Sequence, residues 1–350
     1  MRLRFLTSTP LDVRRGSGTY AGISTLAAAL RAQGHEVELA SPRLHLPVYT
    51  AERLLFNATL RPDSGFDATV GFDMDGYRVA GRGPGFHVAS IKGVIADELR
   101  FQAGLTRLTM SVQARCERAH ARRAGLVITT SHYAAGCIQK LYGVRAEVVP
   151  ELIDLAGWRK LLEENPAPPD ANKFTVLAVC RLYRRKRIDV LLRAAARLNM
   201  PGLEVRIVGD GPEAGEFRSV YRALRIGSKV QWLGDVSRER LAQEYNRCDL
   251  FCLPSVQEGF GIVFLEAMAA GKPIVAARAA AVPEVVTQGL LAKPGDPVSL
   301  AQEIERLYRD PGFRARLKEE GRRRVAQFDA PVVARLFAEK IANPKFHRAV

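Results

Sequence analysis

The sequence predicts an α/β protein with two Rossmann-like domains, each a doubly wound parallel sheet, and a cleft between them. Short apolar, β-branched runs alternate with Ala-, Leu- and Arg-rich segments of helical period. A Pro-rich polar stretch, 165–172, interrupts this alternation near the middle. The 350 residues also favour two domains, since a domain usually takes about 100–200 residues. We therefore predict a first domain over 1–160, a linker over 161–173, a second domain over 174–330, and a crossover helix and tail over 331–350.

The first half opens with a strand, a loop and a helix. Leu3–Thr7 is the predicted strand, and a loop containing Gly16 and Gly18 follows it. Thr19–Arg31 carries its apolar residues on one helical face, and Gly34 ends that helix. Further strands are predicted at Glu36–Ala40, Ala68–Phe72, His87–Ile91, Leu126–Thr130 and Glu147–Val149.

The second half repeats the alternation. Helices are predicted at Ile188–Leu198 and Arg238–Arg247. In open parallel sheets, ligands bind beyond the carboxyl ends of the strands. We therefore expect functional residues in the loops that follow the strands, predicted at Phe174–Cys180, Leu203–Val208, Val230–Leu233, Leu250–Pro254 and Pro273–Ala277.

The charge of the chain is compatible with an anionic partner and equally with a proteome that is rich in Arg throughout. Lys and Arg number 52 against 37 Asp and Glu, for a net charge of +15. Arg accounts for 41 of the 52 cations, and its planar fork donates two parallel hydrogen bonds to phosphate or carboxylate. A nucleotide, a nucleic acid and an anionic membrane surface all fit this composition.

The cysteines and the lengths of the apolar runs indicate the cellular compartment. Five cysteines without a paired metal-ligand spacing are typical of a reducing compartment. The apolar runs are too short to span a bilayer, which takes about 20 residues. We expect a cytoplasmic protein, with peripheral attachment to the inner face of the membrane as an alternative.

The segment Pro254–Ala277 carries the clearest chemistry. A strand ends near its start, and two glycines in the next loop let the backbone approach a ligand. The helix that follows offers free amides to a diphosphate. Glu258 lies in the loop and Glu266 about one turn into the helix. Either carboxylate alone is typical of a local cap or a solvated residue; together with the glycines and flanking strands they indicate a site for a sugar attached to phosphate.

This segment resembles the glutamate–seven–glutamate signature of retaining glycosyltransferases with the GT-B fold, especially glycosyltransferase family 4. The segments Ala178–Leu198, Arg206–Glu213 and Ala281–Val286 follow in the family's order. The resemblance covers nearly the whole chain and is weaker in the first half. It implies metal-independent, retaining transfer of a hexose from a nucleotide diphosphate sugar to a hydroxyl acceptor, which could be a glycan, a glycolipid or a small metabolite. The N-terminal domain would bind the acceptor and the C-terminal domain the donor.

The resemblance also implies roles for particular residues. Arg181 and Lys186 match the cations that hold the donor diphosphate and stabilise the departing phosphate. Glu258 would orient the donor sugar, and Glu266 would bind the ribose. No metal and no dedicated protein base are required. The backbone positions expected near the donor are Gly259, Phe260, Gly261 and Ile262, with Gly16 and Gly18 in the first half.

One residue differs from the family pattern, and several others are expected to have a structural role. Lys92 stands where family members often have a His on the reacting sugar face, and a Lys there would supply positive charge. His87 falls on the opposite strand face, where a core or edge His is expected. The Asp73-Met-Asp75 pair is interpreted as a turn or acceptor loop. Arg184 and Arg185 are expected to be solvated.

Three alternatives stay open at this point. A GT-B epimerase or phosphorylase would share the fold, and an NAD enzyme would use Gly16–Gly22. A nucleic-acid-binding module would use the net charge, although the motif argues against a nucleic-acid partner. On one predicted helix, basic residues recur at spacings of three and four, which is typical of a solvated face. Contact with an anionic membrane or a lipid-linked acceptor is the alternative for this stripe, Arg115, Arg118, Arg122 and Arg123.

Overall fold

A computed structural model describes residues 1–9, 18–43, 46–83, 85–343 and 345. It divides the chain into two compact units, Met1–Leu152 with Ala330–Val350, and Ile153–Asp329. Each unit contains one six-stranded sheet whose neighbouring strands pair in parallel among the described residues. The predicted pair of doubly wound parallel sheets is therefore confirmed.

In the first unit the strand order is β2-β1-β3-β4-β5-β6. Its strands are β1 (Arg2–Leu6), β2 (Glu36–Ala40), β3 (Ala68–Phe72), β4 (Phe86–Ile91), β5 (Leu126–Thr129) and β6 (Glu147–Val148). Its helices up to this point are α1 (Gly18–Ala32), α2 (Tyr49–Thr59), α3 (Ile95–Glu98), α4 (Gly104–Arg123) and α5 (His132–Tyr142).

In the second unit the order is β12-β11-β10-β7-β8-β9. Its strands are β7 (Phe174–Val179), β8 (Leu203–Val208), β9 (Val230–Gly234), β10 (Leu250–Leu253), β11 (Ile274–Ala277) and β12 (Leu290–Ala292). Its helices are α6 (Leu155–Glu164), α7 (Ile188–Arg197), α8 (Ala214–Leu224), α9 (Arg238–Arg247), α10 (Ile262–Ala269), α11 (Val282–Val285), α12 (Pro297–Arg309) and α13 (Pro311–Arg324).

The last helix, α14 (Ala330–Ala342), belongs to the first unit. Its apolar face, including Val333 and Phe337, packs in the core beneath β1. Phe337 meets Phe5 edge to face, with 6.2 Å between ring centroids. None of the described helices has the length and apolar character needed to cross a membrane.

The structure places the boundary between the units earlier than the predicted linker. Asp154 caps α6 by accepting a hydrogen bond from the Gly157 amide at 2.9 Å. Trp158 and Leu162 of the same helix are buried in the second core. Residues 161–173 therefore lie inside the second unit, because α6 packs on that unit's core before the Pro-rich stretch begins.

Candidate functional site

Arg181 follows directly after the carboxyl end of β7, where the next turn fixes its backbone. The Cys180 amide donates to the Val208 carbonyl at 3.1 Å, and the Leu182 amide donates to the Asp210 carbonyl at 3.0 Å. A Cβ on Gly209 would lie 2.0 Å from the Cys180 carbonyl oxygen. The turn can pack so closely only because that position is Gly.

The side chain of Arg181 is partly exposed. Its Nη1 lies 3.8 Å from Oδ2 of Asp235, which follows β9. The cation therefore lies at the carboxyl edge of the sheet, and one third of its side chain is exposed to solvent, where an anionic ligand can reach it.

Lys186 ends a 3₁₀ turn, Arg184–Lys186, that precedes α7. The next residue, Arg187, has a left-handed conformation with φ 52° and ψ 43°. That conformation costs a non-Gly residue roughly 1–2 kcal/mol. Two hydrogen bonds of 2.9 Å, which the Arg187 guanidinium donates to the Asp189 carboxylate, hold the side chain in place.

Glu258 joins Lys186 in a buried ion pair. The Lys186 Nζ donates to Glu258 Oε1 at 2.6 Å. Arg185 Nη1 lies 3.9 Å from the other carboxylate oxygen. Burial alone would raise the pKa of Glu258, but Lys186 and Arg185 outweigh it and hold that pKa below its ordinary value. The carboxylate is therefore ionised at neutral pH.

The prediction that Arg185 is solvated is wrong. Its side chain is 15% exposed, and it donates to the Gln257 carbonyl at 3.4 Å. The loop that follows β10 covers this side chain, which no local sequence pattern could indicate. Arg184 is exposed and pairs at the surface with Glu216 at 3.1 Å, as its solvated interpretation requires.

Helix α10 begins directly beside this pair. Gly261 caps it with φ 97°, and a Cβ there would lie 2.6 Å from the Phe264 ring. The first amides of α10 lack intrahelical acceptors and carry the positive end of the helix dipole. Gly259 and Ile262 are partly exposed beside them. Phe260 is buried against Phe328, with 5.5 Å between ring centroids, so only its backbone can meet a ligand.

Glu266 lies one turn further along α10 and is partly buried. Burial raises the pKa of its carboxyl to about 7, and a hydrogen bond from Tyr245 and the charge of Arg238 oppose that shift. The Tyr245 hydroxyl donates to Oε2 at 3.0 Å. Tyr245 itself is held between Trp158 and Phe251. Sequence reasoning missed Tyr245, because α9 carries no motif.

The sequence-predicted residues of the second unit thus collect at one sheet edge. β7 and β10 are parallel neighbours, and the loops after their carboxyl ends carry Arg181, Lys186 and Glu258. Lys186 and Glu258 are in contact, whereas Arg181 pairs with Asp235 and Glu266 with Tyr245. The arrangement presents two cations, free helix amides and two carboxylates, which suits a diphosphate linked to hydroxyl-bearing groups.

The predicted residues of the first unit are placed differently. Gly16 lies outside the described residues, and Gly18 is the first residue of α1. Lys92 follows β4, and its Nζ donates to Glu151 Oε2 at 3.1 Å. Both side chains are almost completely buried. The positive charge of Lys92 is therefore neutralised within the protein.

The Asp-x-Asp pair forms part of a buried polar network. Asp73 follows β3 with φ 53°, which agrees with a turn. Asp75 is fully buried and accepts hydrogen bonds from the Ser8 amide at 2.6 Å and from Asn57 at 2.9 Å. Arg53 also pairs with it, at 3.4 Å. These contacts use the Asp75 carboxylate to hold β1, α2 and β3 together.

His87 packs against a second buried imidazole, His120, which sequence reasoning missed. Their Nε2 atoms lie 2.8 Å apart, and His120 Nδ1 contacts the Asp73 carbonyl at 2.6 Å. Burial lowers the pKa of His87 well below its ordinary value and that of His120 to about 4. His120 therefore donates through Nδ1, and His87 donates to its Nε2. Among the described residues, no group of three or more His, Cys, Asp or Glu could hold a metal ion.

Comparison with known proteins places this site in a family. A family model described as "Glycosyl transferases group 1" matches residues 162–324. Over 218 residues the chain is 31% identical to the D-inositol 3-phosphate glycosyltransferase of Nocardiopsis dassonvillei, covering 56% of this chain and 50% of that protein. The chain spans half or less of the length of the first curated relatives that it matches.

Two solved structures share the fold across the chain. Sucrose-phosphate synthase from Thermosynechococcus elongatus has a TM-score of 0.79 at 21% identity, covering 97% of this chain and 98% of that one. Anabaena HepE in complex with UDP and glucose has a TM-score of 0.72 at 21% identity, covering 98% and 99%. The predicted fold and the predicted family are both confirmed. Residues 162–324 belong to the glycosyl transferases group 1 family, glycosyltransferase family 4, and the chain has the GT-B fold.

Proposed function

We propose that the chain transfers a hexose from a nucleotide diphosphate sugar to a hydroxyl acceptor, with retention of configuration and without a metal ion. The buried Lys186–Glu258 pair at the N-terminus of α10 carries this proposal. It holds an ammonium and an ionised carboxylate 2.6 Å apart, beside free helix amides. The diphosphate of a nucleotide sugar would bind the ammonium, and the hydroxyl groups of the attached sugar would donate hydrogen bonds to the carboxylate.

The diphosphate binds at the cationic side of the site. Lys186 and Arg181 bind its oxygens, and the amides of Gly261 and Ile262 add hydrogen bonds at the positive end of α10. Arg185 keeps Glu258 paired while Lys186 turns to the phosphate. Two fixed cations supply the charge stabilisation that a metal ion gives in other phosphate-transfer sites.

The carboxylates bind the hydroxyl groups of the donor. Glu258 accepts hydrogen bonds from the sugar and orients it. Glu266 accepts from the ribose, and its carboxyl must be ionised to accept two of them. UDP is the first nucleotide to test, because HepE, which has the same fold, is described in complex with UDP and glucose.

The transfer step needs no protein base. The bond from the anomeric carbon to the phosphate oxygen breaks, and a bond to the acceptor oxygen forms on the same face of the sugar. The acceptor proton passes to the departing phosphate oxygen. Arg181 and Lys186 stabilise the charge that this oxygen carries before it takes the proton. Two catalytic cations and one orienting carboxylate therefore suffice.

Thermal unfolding with UDP, GDP, ADP, TDP and NAD, each with and without EDTA, tests the donor class. A ligand at 100 times its dissociation constant stabilises the folded state by about 2.7 kcal/mol. We expect one nucleoside diphosphate to raise the melting temperature, equally with EDTA. The proposal would be contradicted if NAD alone raised the melting temperature, or if none of the four nucleoside diphosphates raised it.

Release of nucleoside diphosphate then tests the reaction. The matching nucleotide hexose is incubated with a simple sugar, a sugar phosphate or a dispersed glycolipid, and the anomeric configuration of the product is read by NMR. We expect release to depend on one acceptor class and the product to keep the donor's configuration. An inverted product, or an epimerised or phosphorolysed donor, would refute retaining transfer.

A further inference from the structure

The buried side chain of Tyr245 connects α9 to Glu266 of α10. Its ring meets Trp158 of α6 edge to face, with 5.5 Å between ring centroids, and stacks on Phe251 of β10 at 5.8 Å. Tyr245 is fully buried. Because aromatic contacts on two sides fix the direction of the ring, the hydroxyl is held at one position beside α10.

The Tyr245 hydroxyl has two acceptors within reach on α10. Glu266 Oε2 lies 3.0 Å away, and the Val263 carbonyl oxygen lies 3.2 Å away. Burial raises the pKa of Tyr245 well above its ordinary value, so the hydroxyl keeps its single proton. An ionised carboxylate is a stronger acceptor than a carbonyl. Tyr245 therefore donates to Glu266 whenever Glu266 is ionised, and it can turn to Val263 when Glu266 takes up a proton.

The backbone of Glu266 is held as well. The Trp158 indole Nε1 donates to the Glu266 carbonyl oxygen at 3.1 Å, which also accepts the helical bond from the Ala270 amide at 2.9 Å. The other carboxylate oxygen of Glu266, Oε1, has no hydrogen-bond partner within the part of the chain that the structure describes, and the residue is partly exposed. The carboxylate thus has one oxygen fixed by the protein and one oxygen left for a ligand.

We propose that Tyr245 is a positioning residue of the donor site, which holds Glu266 by Oε2 and presents Oε1 to the hydroxyl groups of the donor ribose. This role rests on the proposed function, in which Glu266 binds the ribose. A side chain that must be immobilised by its ligand weakens binding by a factor of about 2 to 10. Tyr245 removes that loss because it orders Glu266 before the donor arrives. Since Tyr245 is fully buried, it acts only through Glu266.

The groups that act on the charge of Glu266 come from α9. Burial raises the pKa of the Glu266 carboxyl to about 7, and the hydrogen bond from Tyr245 and the charge of Arg238 lower it. Cys248, which follows α9, acts on Tyr245. From α6, the facing polar group is the neutral Trp158 indole. Removing the Tyr245 hydroxyl should therefore raise the pKa of Glu266 above its value in the wild type.

Calorimetric titration with two ligands tests this role. One ligand is the nucleoside diphosphate that raises the melting temperature, with UDP tried first, and the other is its dideoxy analogue, which lacks both ribose hydroxyls. At about pH 8.5, where Glu266 is ionised, we expect the wild type to bind UDP about 100-fold more tightly than the analogue, because two hydrogen bonds to a charged group are lost. Tyr245→Phe keeps the ring contacts. It should weaken UDP about fivefold and leave binding of the analogue unchanged.

Carboxyl NMR of protein labelled with carbon-13 glutamate measures the pKa of Glu266 without any ligand. The Glu266 signal is the one that Glu266→Gln lacks, and its pKa should rise in Tyr245→Phe. Tyr142→Phe is the matched control, because Tyr142 is also buried and its hydroxyl donates to the Glu117 carboxylate in the first unit. Tyr142→Phe should change neither the ratio of the two affinities nor the pKa of Glu266.

The positioning role is overturned if Tyr245→Phe keeps the wild-type ratio of the two affinities, or if the pKa of Glu266 does not rise. Equal weakening of both ligands would also overturn it, since general damage to the fold acts in that way. A wild type that binds none of the four diphosphates, or that binds UDP and its analogue alike, would instead show that the proposed donor site is wrong. The role of Tyr245 would then fall with that site.

Discussion

The Lys186 ammonium and the Glu258 carboxylate lie 2.6 Å apart with 12% and 6% of their side chains exposed. A pair so deeply buried must be satisfied internally, because either partner alone would leave a charge with little water around it. Lys186 comes from the turn after β7 and Glu258 from the loop after β10. The contact therefore ties together the two loops that carry the candidate donor site.

Removing Lys186 should cost both stability and donor binding. Lys186→Ala leaves the more distant Arg185 as the cation beside Glu258, so we expect a loss of about 3 kcal/mol in the free energy of unfolding, near the lower end for a broken buried pair. Urea denaturation measures this. Arg184→Ala breaks an exposed pair with Glu216 and should cost under about 1 kcal/mol. Equal losses in the two variants would show that the Lys186 pair is not buried in solution.

Donor binding should weaken as the pH falls through 7. The pKa of Glu266 is raised by burial to about 7, so half of the carboxyls are protonated there and cannot accept two ribose hydroxyls. Below this pH, affinity should fall by about tenfold per pH unit. Calorimetric titration with the nucleotide hexose, whose phosphates do not titrate in this range, measures the slope. Glu266→Gln should bind more weakly and show no such slope.

The same pKa predicts the opposite trend for the unliganded protein. A carboxyl whose pKa is raised on folding contributes stability that is full below its unfolded pKa, about 4.5, and that is lost as the pH rises through 7. The unfolding free energy of the wild type should therefore decline, relative to Glu266→Gln, between these values. If the unfolding free energies of the wild type and of Glu266→Gln change with pH in the same way over this range, the pKa of Glu266 is ordinary and the prediction is wrong.

The glycine turn beside Arg181 should not tolerate a methyl group. In Gly209→Ala the new Cβ would lie 2.0 Å from the Cys180 carbonyl oxygen, at φ 115°. We expect either insoluble protein or a loss well above the roughly 1–2 kcal/mol of strain at a left-handed residue. Gly234→Ala provides the matched control, since its φ is 65° and nothing lies within 4 Å. Thermal unfolding of both variants measures the two effects. Gly234→Ala gives the cost of backbone strain alone, and the further loss in Gly209→Ala gives the cost of the steric clash.

Lys92 should act on stability rather than on transfer. Lys92→Met strands the buried Glu151 and should cost about 3 kcal/mol. The double variant Lys92→Met/Glu151→Gln removes both charges and should regain most of that loss, together with donor-dependent activity. A double variant that folds like the wild type yet transfers no sugar would instead give Lys92 a part in the reaction.

The strand ends of the second unit could be predicted because glycines and prolines lie next to them. Gly259, Gly261 and the flanking apolar runs predicted the candidate donor loop, with Glu258 in the loop and Glu266 in the helix that follows it. Arg185 could not be placed, because its burial depends on a loop more than 70 residues away. Tyr245 and His120 were missed for the same reason: each matters through a partner on another element.

Helix α2 could not be predicted from the sequence, because its polar residues are on the buried side. Its buried positions include Glu52, Arg53 and Asn57, whereas Leu55 is exposed. A pattern search expects apolar residues inside and polar ones outside, so this helix gives no helical signal. The buried side is polar because it serves the Asp75 network. The boundary near residue 152 was missed because the Pro-rich stretch lies in a loop of the second unit.

Calorimetric binding of the nucleotide hexose in EDTA, compared between wild type, Lys186→Ala and Arg184→Ala, tests the central claim most directly. The account predicts that the wild type and Arg184→Ala bind alike, and that Lys186→Ala binds about 100-fold more weakly, as expected when one preorganised charge contact is lost. Binding that Lys186→Ala retains in full, or that appears only when Mg²⁺ replaces EDTA, would contradict a donor site built on the Lys186–Glu258 pair.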